Sequence, residues 1–106
     1  GLWVSDPWEA MSVSNNTFTG TSQKAMYIKS ENAASRPIVQ GNTISVTGAY
    51  ESVKLDGWGA IFKGNTIENA TNIALAVYSV SSNMDVYPEV TGNTIKNNSG
   101  HTRTIG

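Results

Sequence analysis

The apolar positions of this chain fall in short clusters separated by Asn, Gly and Ser, with no helical period sustained beyond one turn. Val13, Val39, Phe62 and Val90 each stand five residues before a second apolar position, at Phe18, Ile44, Ile67 and Ile95. A longer apolar run follows, as Met26-Tyr27-Ile28, Val53-Lys54-Leu55 and Leu75-Ala76-Val77. Leu2-Trp3-Val4 is an earlier instance of that run, and the stretch around Ile105 is a final one. Alternation within each cluster predicts short strands with one face buried. The class is all-β.

Between the first two apolar positions lies a repeated corner: Asn15-Asn16-Thr17, Gly41-Asn42-Thr43, Gly64-Asn65-Thr66 and Gly92-Asn93-Thr94. Its second residue recurs at 16, 42, 65 and 93, in steps of 26, 23 and 28 residues. One corner used four times means one coil repeated four times. The recurring Asn is expected in a left-handed backbone state, which Asn tolerates better than other side chains, with the preceding Gly or Asn easing the bend. Stacked at about 4.8 Å, Asn16, Asn42, Asn65 and Asn93 would form a ladder of side-chain amides. Thr17, Thr43, Thr66 and Thr94 would run beside it.

These residues resemble the pectate-lyase-like right-handed parallel β-helix superfamily, whose short repeat reads roughly apolar-x-Gly-Asn-Thr-Ile-x-Asn, a loop, then Gly-Ile-Tyr-Leu. The resemblance covers nearly the whole chain. It implies a solenoid of about four coils, each of 23–28 residues, with three strands per coil and an Asn ladder. It implies little about activity, because one fold hosts many functions. No Leu-x-x-Leu-x-Leu signature marks a leucine-rich solenoid. A sandwich would need two-residue hairpin turns rather than one repeated corner. Residues 1–106 are expected to be a single β-helix segment of a longer one, with adjoining coils or end-to-end self-association covering its ends.

Register then assigns faces. The pairs Leu2 and Val4, Met26 and Ile28, Val53 and Leu55, Leu75 and Val77 point inward. Two outward columns remain: Trp3, Tyr27, Lys54, Ala76 and Ser5, Lys29, Asp56, Tyr78. Loops of differing length follow each run and carry Trp8, Arg36, Trp58, Asp85 and Tyr87.

Composition excludes several classes. Seven Lys and Arg against eight Asp and Glu give a net charge of -1, so no basic stripe calls for nucleic acid. Without cysteine there is no disulfide, thiolate metal site or cysteine nucleophile, and one His excludes any two-imidazole site. No apolar run reaches the roughly 20 residues of a membrane span. The Gly-Leu-Trp-Val-Ser start lacks the pattern of a signal peptide.

The candidate chemistry is an aromatic and charged strip: Trp3, Trp8, Tyr27, Trp58 and Tyr78 with Lys29, Lys54 and Asp56. Sugar rings pack apolar faces on aromatic rings and offer hydroxyls to charged groups, so the strip suits a linear glycan. The expectation is a carbohydrate-binding or carbohydrate-processing segment, extracellular or on a cell or virion surface. The alternatives are a purely structural rod of an adhesin, fibre or spike, or a polysaccharide lyase drawing catalytic residues from elsewhere. A lyase of the resembled family would need a calcium cage of carboxylates. Here Glu51, Asp56 and Asp85 are read as coming from different coils, so no cofactor is expected, calcium being left open but unsupported by a carboxylate cluster. Ser99-Gly100-His101-Thr102-Arg103-Thr104-Ile105-Gly106 is similar to a polygalacturonase segment. Yet Thr102 replaces a Gly, and the matching aspartates fall at Asn72 and Ile73. Glycoside hydrolysis needs two carboxylates, so His101 is read as a surface or loop residue. Three N-glycosylation patterns, at Asn15, Asn69 and Asn97, follow from an Asn-rich chain.

Overall fold

The computed structural model describes residues 1–5, 11–30, 36–57, 59–78, 88–97 and 101–105, with the backbone alone at 57 and 101–105. Among the described residues thirteen strands occur in chain order: β1 (Leu2–Ser5), β2 (Ser12–Ser14), β3 (Thr17–Thr21), β4 (Met26–Ser30), β5 (Ile38–Gln40), β6 (Thr43–Thr47), β7 (Glu51–Gly57), β8 (Ile61–Lys63), β9 (Thr66–Glu68), β10 (Ile73–Tyr78), β11 (Glu89–Thr91), β12 (Thr94–Lys96) and β13 (His101–Ile105). They form three parallel sheets, ordered β1-β4-β7-β10-β13, β11-β8-β5-β2 and β12-β9-β6-β3. Each coil gives one strand to each sheet, so four coils stack beneath the leading strand β1.

The register follows the repeat. Val13, Val39, Phe62 and Val90 are partners in one sheet, and Phe18, Ile44, Ile67 and Ile95 in the next. In the five-stranded sheet Leu2, Met26, Val53 and Leu75 align, as do Val4, Ile28, Leu55 and Val77. Met26, Ile28, Val39, Ile44, Val53, Phe62 and Ile67 are each 0% exposed and form the core. Burying each such side chain is worth about 1.5–3 kcal/mol.

The corner differs from expectation in one respect. The left-handed backbone sits on the first residue of the motif, at Asn15 (φ 59°), Gly41 (φ 68°), Gly64 (φ 63°) and Gly92 (φ 64°). The following asparagines have ordinary backbones, which frees their side chains to turn inward. Asn42 and Asn65 are each 1% exposed. Asn42 Nδ2 donates to Asn65 Oδ1 at 2.9 Å, and Asn65 Nδ2 to Asn93 Oδ1 at 3.2 Å. The same oxygens accept backbone amides, from Asn42 at 2.9 Å and Asn65 at 2.8 Å. Each amide also donates back across the stack, Asn42 to Val13 O and Asn65 to Val39 O, both at 2.9 Å.

The second corner is not uniform. β3 and β6 run five residues and turn at Ser22 (φ 66°) and Gly48 (φ 78°). β9 and β12 run three and turn at Asn69 (φ 63°) and Asn97 (φ 55°). All three asparagines of the glycosylation patterns, Asn15, Asn69 and Asn97, are thus left-handed corner residues, where Asn is favoured for its backbone.

Three further expectations need correction. Ile105 pairs with Tyr78 because the β10–β13 register shifts between Ile73 and Ala76, so it falls outside the two core columns. His101 is the first residue of β13, in a strand rather than a loop. Glu51 and Asp56 do not come from different coils, since both lie on β7.

Candidate functional site: the outward face of the five-stranded sheet

Alternation turns every second residue of β1, β4, β7 and β10 away from the core. Trp3, Tyr27, Lys54 and Ala76 form one column of partners, and Ser5, Lys29, Asp56 and Tyr78 the next. The side chains then organise themselves. Trp3 stacks on Tyr27 with ring centroids 4.5 Å apart and planes 16° from parallel. The Lys54 ammonium lies over the Tyr27 ring at 5.3 Å and over the Tyr78 ring at 4.8 Å. The strip is therefore continuous from Trp3 through Tyr27 and Lys54 to Tyr78.

Both phenols end on carboxylates. The Tyr27 hydroxyl donates to Asp56 Oδ2 at 2.8 Å, and the Tyr78 hydroxyl to Glu51 Oε2 at 2.8 Å. Tyr78 is the strand partner of Asp56, yet its hydroxyl reaches Glu51, five positions back along β7. Its phenol therefore lies back along the strand. The small Ala74 and Ala76 leave room for it and are 0% and 1% exposed. Ala76 occupies the outward column but is covered, contrary to the simple alternation.

Glu51 is the residue whose part in this face the sequence did not disclose. Strict alternation would place it with Val53 and Leu55. Instead its other oxygen accepts the Lys24 ammonium at 2.9 Å. Burial pulls its carboxyl pKa up, but the bonds from Lys24 and Tyr78 and the charges of Lys24 and Lys54 outweigh this, and the group ends below its ordinary value. One signal could have found the pair. Extending the Met26–Val53 register back by two residues sets Lys24 opposite Glu51, an opposite-charge pair across neighbouring strands.

Of the other expected residues, Lys29 is half-buried and partners Asp56 in the backbone register. Trp8 and Trp58 lie outside the described residues, as do Asp85 and Tyr87. Trp3 is 73% exposed, whereas Tyr27, Lys54, Asp56 and Tyr78 are half-buried by one another. A groove of about 260 Å³ opens beside the stacked rings, lined by Gly1, Leu2, Trp3, Gln23, Lys24 and Tyr27. Among the described residues no group of three His, Asp or Glu side chains could hold a metal ion. Among the same residues no helix is long and apolar enough to cross a membrane.

A family model for a right-handed β-helix region matches residues 5–105, which spans all but the outermost residues. The chain belongs to the right-handed β-helix family. No curated protein and no solved structure matches it. Membership accounts for the scaffold. The repeat supplies the stacked strands of this β-helix, and the outward columns are where its own residues differ from coil to coil.

Proposed function

We propose that this β-helix contacts an extended polysaccharide along the outward face of β1, β4, β7 and β10. The observation that carries the reading is the Trp3–Tyr27 stack continued by Lys54 and Tyr78. Parallel strands space these groups at about 4.8 Å, near the length of one sugar residue. An indole left 73% exposed on a stacked ring costs solubility and gains area when a sugar face covers it. On this reading the molecule works outside the cell or on a cell or virion surface, and this segment binds without cleaving. The test is titration with neutral and acidic glycans, followed by tryptophan fluorescence and calorimetry. Trp3→Ala should weaken binding about tenfold or more, as expected for an aromatic anchor, while its melting temperature stays near the parent's. A variant that binds as well as the parent would remove the strip from the site.

A structural rod is the second reading, and one observation favours it. The polar ends of the strip already bond one another, Tyr27 to Asp56 and Tyr78 to Glu51, which ties coils together without a ligand. Silence from every glycan in the titration would leave the rod as the better account.

A further inference from the structure

We infer that the ligand of the outward face is anionic, its negative groups held by the ammoniums of Lys54 and Lys29; this rests on the polysaccharide reading above. The argument is one of which charges are already taken. The described residues hold four carboxylates, and each has an intramolecular partner. Glu51 accepts Lys24 and Tyr78, Asp56 accepts Tyr27, Glu68 pairs with Lys96, and Glu89 with Arg36. Neutral sugars are held largely by acceptors that take their hydroxyl protons. On this face the acceptors are mostly consumed, both oxygens of Glu51 and one of Asp56.

The cations divide differently. Lys24, Arg36 and Lys96 are in ion pairs. Among the described residues, Lys29, Lys54 and Lys63 have no carboxylate within ion-pair distance, and Lys63 lies on β8, in another sheet. Lys54 is held instead by two ring faces, at 5.3 Å and 4.8 Å. A ring face positions an ammonium but does not neutralise it, and although the charge of Lys54 acts on Glu51 it makes no ion pair with it, so its donors remain for an outside group. Lys29 stands on the neighbouring strand, two register positions along from Lys54, a diagonal separation of roughly 7–8 Å. Among the described residues of this face, Lys24, Lys29 and Lys54 against Glu51 and Asp56 leave one positive charge in excess. Half-burial lowers the local dielectric and strengthens the attraction. A carboxylate or a sulfate ester on a sugar satisfies the same two donors.

The experiment compares four glycans by calorimetry: a polyuronate, its methyl ester, a sulfated glucan and the unsulfated parent. Each pair differs in charge and keeps the same backbone. The charged member of at least one pair should bind roughly tenfold or more tightly than its neutral counterpart, with affinity falling as salt rises. The pair that shows the difference tells carboxylate from sulfate. Lys54→Met should abolish that preference, while Lys54→Arg should keep it. If Lys54→Met melts early, Lys29→Met carries the same comparison in a folded chain. Equal binding of charged and neutral members overturns the anionic ligand, a preference that survives both methionine variants overturns its assignment to Lys54 and Lys29, and either leaves the polysaccharide reading standing. No binding by any of the four overturns both.

Discussion

Asn65 shows how much one side chain can carry when its backbone is unstrained. Its oxygen takes the Asn42 backbone amide and side-chain amide, and its nitrogen reaches Asn93 and Val39 O, all but excluded from water. Leu at this position keeps the volume and strands those donors. Asn65→Leu should therefore cost about 2–4 kcal/mol, the sum of two or so buried groups left unpaired. Gly64→Ala is the contrasting case, because a Cβ there meets nothing within 4 Å and only the φ of +63° opposes it. Its cost should be about 1–2 kcal/mol. Urea unfolding of the two variants separates them, and equal losses would put the strain rather than the amide in charge of the corner. Glu51 makes a second prediction at this scale. Its folded pKa lies below the ordinary 4.5, so its bonds stabilise the fold fully above that pH. That stability is lost as pH falls from about 4.5 through the folded value. Glu51→Gln should flatten the acid limb of a melting-temperature profile, and an unchanged limb would assign acid sensitivity elsewhere. Both phenol–carboxylate bonds were invisible in the sequence, since each joins residues 27 or more positions apart.

Strands in the same column need not weigh the same. Ile67 on β9 and Ile95 on β12 are register partners, yet one is 0% exposed and the other 38%. Val90 on β11 is likewise 39% exposed, while its partner Phe62 on β8 is fully buried. Ile67→Ala should cost about 2–5 kcal/mol by leaving a cavity. Ile95→Ala should cost about half that or less, because water already reaches it. Chemical denaturation of the pair checks this, and equal costs would mean that something covers β12 in solution. The five-stranded sheet was legible as an element, since Trp3, Tyr27, Lys54 and Ser5, Lys29, Asp56, Tyr78 could be read into columns by alternation alone. What the columns do was not. Alternation says which side of a sheet a residue leaves from, whereas Tyr78 folding back over Ala76 depends on the space two alanines leave.

Across the whole molecule, the division between sequence and tertiary structure follows the range of the interactions concerned. The four corners, the apolar partners and the parallel order were determined by the sequence alone. A repeated coil repeats its local chemistry, and stacking identical coils leaves one register that buries Val39, Ile44, Phe62 and Ile67 together. The exact place of the left-handed residue was decided by packing. Asn42 and Asn65 can turn inward only if the residue before them takes the bend, and a Gly there takes it at no steric cost. The charge state of the outward face was also a tertiary matter. Eight acidic and seven basic residues give a near-neutral sum, which conceals that Glu51 and Asp56 are spoken for while Lys29 and Lys54 are not. Composition counts charges, and only the fold decides which of them meet, because strands distant in sequence become neighbours about 4.8 Å apart when the coils close.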